Sequence, residues 1–149
     1  MNNIRYLKVS DKAKIPTKGT RQATGYDLYS AEDVVIEPGG RAAVSTGLVF
    51  NLDGLLPSVE MQIRPRSGLA IKHGVTVLNA PGTIDRDYRG EVRIILINHG
   101  SESDSVAAGD KIAQMVLAVY IHDISMFPVS EVSEDTDRGA GGFNSTGYR

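Results

Sequence analysis

Short runs in which apolar and polar residues alternate dominate this chain. From Ile4 to Val9 the alternation puts Ile4, Tyr6 and Lys8 on one face. Val34 to Ile36 is a β-branched run closed by Pro38, Gly39 and Gly40. Between Ala42 and Phe50, the residues Val44, Thr46, Leu48 and Phe50 share one side, and Val59, Met61 and Ile63 do so in the next run. Val75 to Leu78 is brief and apolar, while Val92 to Ile97 is almost continuously apolar, the pattern of a strand covered on both faces. The segment Ile112 to Ile121 fits a helix by propensity. Strict alternation of Ala113, Met115, Leu117, Val119 and Ile121, and the Val-Tyr-Ile ending, favour a strand instead. One short helix is predicted over Gly68 to His73, ended by Gly74. Turn residues part these runs at short intervals, which points to a sandwich, jelly roll or barrel. From about Ser130 apolar residues thin out, so the chain divides into a single β-rich domain over 1–130 and a Gly-rich tail over 131–149.

Composition narrows the function classes. The 149 residues suit one domain. Zero cysteine removes disulfide frameworks, thiolate zinc sites and cysteine nucleophiles. Sixteen Lys+Arg against 18 Asp+Glu give a net charge of -2, a poor fit to a protein that coats nucleic acid. The first ten residues carry no apolar core of a signal peptide, and no apolar run approaches the ~20 residues of a membrane helix. A cytoplasmic protein without nucleic-acid or membrane partners is the expectation. His73, His99 and His122 lack metal-ligand spacing, and phosphate-loop and nucleophile-elbow signatures are absent.

Several segments carry chemistry. In Ala80 to Gly90, Asp85 and Asp87 lie two residues apart near a Pro-Gly turn and beside Tyr88. In extended chain the two acids share one face and Arg86 and Tyr88 the other. Such an acid can act as a general base or bind a metal ion, or simply pair with the neighbouring arginines; the spacing does not choose. Arg64 to Leu69 places Ser67 and Gly68 at a helix start, where free N–H groups and Arg66 make an anion site, unless Ser67 is only an N-cap. In the tail, Arg138, Ser145 and Thr146 are phosphate-binding types, Phe143 can stack on a base, and the glycines let backbone N–H groups wrap an anion. Gly25 leads a turn into Asp27, and Gln114 is a polar group at an interior-looking position that needs a partner if buried.

Taken in order, five segments resemble the five motifs of the trimeric deoxyuridine triphosphate nucleotidohydrolases (dUTPases). They are ATGYDLYSA at 23–31, RPRSGLA at 64–70, NAPGTIDRDYRGEV at 79–92, GDKIAQMV at 109–116 and RGAGGFNSTG at 138–147. The resemblance implies an all-β, distorted jelly roll of the β-clip kind with one short helix. It also implies a homotrimer with active sites at subunit interfaces, and hydrolysis of dUTP to dUMP and pyrophosphate with Mg²⁺ bound mainly through the triphosphate. By similarity Asp85 is the general base for in-line attack of water on the α-phosphorus. Arg66, Ser67 and Gly68 match phosphate-binding positions. Asp27 and Gln114 match positions that hold phosphate or metal-bound water. Asn79 and the backbone of Gly82, Thr83, Ile84 and Asp85 match the uracil pocket, and Tyr88 matches the residue that packs on deoxyribose. Arg93 matches a further substrate-approaching position. Arg138, Ser145 and Thr146 match residues that grip the γ-phosphate end, with Phe143 stacked on uracil and the tail closing over a neighbour's site.

Three positions depart from the family pattern. Asn144 follows the tail Phe where glycine is usual, and Asn tolerates positive φ better than most residues. Lys111 stands where Arg is usual, keeping the charge and losing the fork. Thr24 stands where Ala is common. Two other functions remain as rivals on the same fold: a dCTP deaminase, which ammonia release would reveal, and a non-catalytic regulatory protein switched by nucleotide.

Overall fold

The computed structural model describes residues 3–121, 123–133 and 135–142. Ten strands and one helix follow in order: β1 (Arg5–Lys8), β2 (Tyr26–Tyr29), β3 (Val34–Ile36), β4 (Arg41–Asn51), β5 (Val59–Arg64), α1 (Ser67–His73), β6 (Val75–Val77), β7 (Gly82–Ile84), β8 (Glu91–Asn98), β9 (Asp104–Val106) and β10 (Lys111–Val119). They form one antiparallel sheet in the order β1-β4-β8-β6, a second in the order β2-β10-β5-β7, and a β3-β9 ribbon. Among the described residues the fold is all-β apart from α1, as the alternation and turn spacing predict.

Both four-stranded sheets contribute to one buried cluster. Val44, Leu48 and Phe50 of β4 join Val92, Ile94 and Leu96 of β8, and meet Leu28, Met61, Ile63, Ile112 and Met115 from the other sheet. All four residues of the predicted β4 face, Thr46 included, are buried, and the Thr46 hydroxyl donates to the Val92 carbonyl at 2.6 Å. Asn98 is fully buried, and its amide donates to the carbonyls of Ile36 and Glu102, each at 2.8 Å, while its oxygen accepts from Gly100 N–H. A buried amide is tolerated when its hydrogen bonds are made.

Two expectations change. β8 is not covered on both faces: Val92, Ile94 and Leu96 are buried, whereas Arg93 is exposed and Ile95 is 36% exposed. Its alternation belongs to a strand with one face on the core and one open in the single chain. The face predicted for the last run holds at Ala113 and Met115 but opens outward, with Leu117 36% and Val119 79% exposed. Ile112 and Val116, on the opposite side, are buried as well. Among the described residues no helix is long and apolar enough to cross a membrane.

Candidate active site

β10 gathers three of the singled-out segments. Its Gln114 is paired across to Asp27 of β2 on one side and to Arg64 of β5 on the other. The Gln114 amide donates to the Pro65 carbonyl at 2.9 Å, so the interior polar group has its partner. Gly25 makes room for it: a Cβ there would stand 2.1 Å from the Gln114 Oε1. Asp27, 18% exposed, accepts from Lys111 Nζ at 2.8 Å and lies 3.4 Å from Arg66 Nε. Arg66 also donates to the Lys111 carbonyl at 2.7 Å. The hydrogen bond from Lys111 to Asp27, and then the charge of that carboxylate, hold the ammonium above the ordinary lysine pKa. One acid and two cations thus form a cluster with surplus positive charge.

Beside this cluster α1 begins. Arg66 takes the N-cap position with extended φ and ψ of -98° and 125°, and no side chain caps the helix. Ser67 is therefore the first helical residue and not the cap, and its hydroxyl stays exposed. Gly68 has open space where a Cβ would go. The helix stops at Gly74, whose φ of 70° is left-handed, as the sequence indicates. At that end His73 Nδ1 lies 2.8 Å from Asp104, which joins α1 to β9.

The second group sits on β7 and the turn after it. β7 lies at the edge of its sheet, with Gly82 opposite Ile63, Thr83 opposite Gln62 and Ile84 opposite Met61. Gly82 is buried against Asn79, whose Nδ2 would lie 3.2 Å from a Cβ at 82. The strand ends at Ile84, and Tyr88 N–H donates to the Asp85 carbonyl at 3.1 Å. Asp85 therefore opens a tight turn, and the face-sharing expected for Asp85 and Asp87 in extended chain does not apply. Nor do the acids pair with the neighbouring arginines. Among the described residues neither carboxylate has a hydrogen-bond or salt-bridge partner, while Arg86 and Arg89 reach back to residues 53–56. Tyr88 donates to the Glu91 carbonyl at 3.0 Å and its ring lies over Gly90, where a Cβ would stand 2.4 Å from the hydroxyl oxygen. Arg93 donates to the Ala43 carbonyl at 2.7 Å and lies 3.8 Å from Glu32. Thr83, Ile84, Asp85, Tyr88, Glu91 and Arg93 line one cavity of about 290 Å³.

One chain does not bring these two groups together. Asp85 follows Ile84, opposite Met61, while Arg66 lies five residues beyond Met61 in the other direction, two past the end of β5. At ~3.3 Å per residue this is on the order of 15–20 Å. Arg66 and Lys111 line a different cavity of about 350 Å³ with Leu69, His73 and Asp104. In the tail, Arg138 Nε donates to the Gly141 carbonyl at 2.8 Å and is exposed. Phe143, Asn144, Ser145 and Thr146 lie outside the described residues, as does His122.

Sequence reasoning missed the residues that hold this arrangement. Arg86 and Arg89 stood in a motif, but nothing in the spacing tied them to Asp53. Glu91, which accepts from the Gly47 N–H at 2.8 Å and from the Ser45 hydroxyl, is 44 positions from Gly47. No local signal marks such pairs.

The dUTPase family model matches residues 11–147. The deoxyuridine 5'-triphosphate nucleotidohydrolase of Nautilia profundicola is 50% identical over 144 residues, covering 97% of this chain and 98% of that protein. That of Wolinella succinogenes is 53% identical over 146 residues, covering 97% and 93%. The structure of the Staphylococcus bacteriophage 80alpha dUTPase with dUpNHpp superposes with a TM-score of 0.85 at 23% identity, covering 99% of each chain. A dUTPase from phage phi11 of S. aureus, described for its coordination of a structural Mg(II) ion, superposes with a TM-score of 0.78 at 23% identity, covering 88% of this chain and 99% of that one.

Proposed function

This chain belongs to the dUTPase family and hydrolyses deoxyuridine triphosphate, and from that premise we propose that its working site is shared between copies of the chain, as in a homotrimer. Asp85 of one copy supplies the general base, and Arg66, Ser67, Gly68 and Gln114 of another receive the phosphates. The observation that carries this is the β5–β7 register. It keeps Asp85 and the Asp27–Arg66–Lys111 cluster too far apart to act on one α-phosphorus within a chain.

Each part of the geometry supports a role. The carboxylate of Asp85, which has no hydrogen-bond or ion-pair partner among the described residues, accepts the proton of the attacking water. The water oxygen bonds to the α-phosphorus, and the bond to the bridging oxygen of the β-phosphate breaks, releasing pyrophosphate. Charge that builds on the phosphates meets Arg66, the Ser67 hydroxyl and the N–H groups at the start of α1. The outer edge of β7 has no strand partner among the described residues. Its N–H and C=O groups from Gly82 to Asp85, with Asn79, can complement the donor–acceptor edge of uracil, and cytosine would leave them unpaired. Tyr88, fixed through Glu91 and Gly90, offers a ring face to the deoxyribose. Arg93 borders the same cavity. Arg138, Ser145 and Thr146 have the chemistry to bind the γ-phosphate end and Phe143 to stack on uracil.

The donor set fits Mg²⁺ held mainly by the substrate. Among the described residues no group of three or more His, Cys, Asp or Glu gathers. Asp27 and Gln114 stand side by side across β2 and β10, and Mg²⁺ sites combine one or two carboxylates with waters and phosphates. When bound, the ion offsets phosphate charge.

Phosphorus NMR with dUTP and Mg²⁺, beside dCTP, dTTP and UTP, tests the reading. The expected result is dUMP and pyrophosphate from dUTP alone. Asp85→Asn is expected to stay folded, to bind nucleotide and to lose at least ~10²-fold in kcat, the low end for a missing general base. Turnover near that of the unaltered protein would remove Asp85 from the role.

A further inference from the structure

The Asp85 carboxylate has no hydrogen-bond or ion-pair partner among the described residues, so the turn that bears it sets its direction. That turn is tied to a distant loop. Arg86 donates from Nη1 to the Leu55 and Leu56 carbonyls and from Nη2 to the Asp53 carbonyl, all at 3.1 Å. Arg89 donates from Nη2 to both carboxylate oxygens of Asp53, at 3.2 and 3.1 Å. Arg89 Nη1 also donates to the Arg86 carbonyl at 2.7 Å and to the Tyr88 carbonyl at 3.1 Å, closing the turn on itself.

The receiving loop is a firm anchor. Leu52 is 1% and Leu55 is 9% exposed, and both belong to the main core cluster. Leu55 N–H donates to the Leu52 carbonyl at 2.9 Å, and Gly54 accepts from the Asn3 N–H at 3.2 Å. The Arg86 fork thus grips backbone carbonyls of a loop nailed into the core, on the residue next to Asp85. An isolated exposed ion pair contributes little. A planar guanidinium that bridges three carbonyls fixes a position and a direction, which a flexible ammonium does not.

We infer that Arg86, with the Asp53–Arg89 pair, is a positioning clamp that aims the Asp85 carboxylate, an inference that rests on Asp85 being the base. Arg86 touches no reacting atom in this scheme. It acts through Asp85, its neighbour in the turn that Asp85 opens. Asp53 itself borders a cavity of about 380 Å³ with Asp85, Arg86, Asp87 and Tyr120, so the anchor and the base face the same space.

Steady-state kinetics on Arg86→Met, Arg86→Lys and Asp53→Asn test it, each checked for folding by circular dichroism and thermal melting. Arg86→Met is expected to lower kcat for dUTP about 10- to 100-fold, the range for a misplacement of about 1 Å, with KM within about twofold. Arg86→Lys should recover little, since the fork is lost. Asp53→Asn, the milder change, should lower kcat by a smaller factor and keeps the test alive should Arg86→Met fail to fold. The decisive arm is Asp85→Asn with Arg86→Met: a clamp that works only through Asp85 adds no further loss to that background. Undiminished kcat in Arg86→Met and Asp53→Asn, or a loss that persists in full in the Asp85→Asn background, overturns the clamp while the base stands. Undiminished turnover of Asp85→Asn alone overturns the base reading and the clamp with it.

Discussion

Gly68 sits in the first turn of α1 with nothing within 4 Å of where a Cβ would lie, so the fold has no steric need for glycine there. A glycine inside a helix costs roughly 0.5–1 kcal/mol relative to alanine. The open space beside Ser67 and Arg66 would let a phosphate approach the backbone, the role proposed above for this helix start. Gly68→Ala is therefore expected to raise stability in urea titration by up to about 1 kcal/mol and to lower dUTP turnover. A variant both stabler and fully active would mean that the space is not used. Lys111 shows a different economy. It meets Asp27 by one hydrogen bond at 2.8 Å, where a guanidinium could offer a fork. Its pKa is raised by Asp27. Its share of stability is thus complete below the ordinary lysine value and is lost only as pH climbs through the raised one, so the pair is intact throughout the neutral range.

At the scale of elements, β4 carries the device that shapes the site's second group. Its pairing with β8 slips between Ser45 and Val49, and Gly47 takes a φ of 65° at the slip. A Cβ at 47 would lie 2.7 Å from Ser10 Cβ and 2.8 Å from Ala13 Cβ. Glu91, first residue of β8, accepts from the Gly47 N–H and the Ser45 hydroxyl, while its carbonyl accepts from Tyr88. The bulge and the Tyr88 ring therefore share one anchor. Gly47→Ala combines a left-handed backbone with overpacking, and a loss of about 2–4 kcal/mol is expected, read as a lowered urea midpoint. A loss under about 0.5 kcal/mol, the level of an ordinary surface change, would show that the bulge relaxes freely.

At the scale of the molecule, the outward-facing apolar residues gain a meaning. Val119 is 79%, Ile121 80%, Met126 90% and Phe127 80% exposed in the single chain. Large apolar side chains this exposed are candidates for cover by another copy, in keeping with a site shared between copies. Mixing two inactive variants tests the sharing directly. Asp85→Asn keeps the phosphate group and Arg66→Gln keeps the base. Co-refolded in equal amounts, they should recover about one quarter of the unaltered activity, because each two-copy site needs one particular variant in each place. A mixture as inactive as its parts would place the whole site within one chain.

Much of this protein is legible without coordinates because the relevant physics is local. The side-chain period of two marks β4, β5 and β10, β-branched residues mark β3, and a left-handed glycine ends α1 at Gly74. The motifs around Asp85, Arg66 and Gln114 point to the family and to the residues proposed to carry the chemistry, since their types and order are written in the chain. What only the tertiary structure decided depends on register and on partners far apart in sequence. Ile84 opposite Met61 is what separates Asp85 from Arg66, and a slip of pairing would change that distance without altering any local pattern. Arg86 finds Leu55 and Leu56 about 30 positions away, and Glu91 finds Gly47 across 44. Alternation says which side of a strand is apolar, but only the packed sheets decide whether that side is covered, as in β8 and β10. Local preference sets the elements, and the burial of the shared core sets how they align.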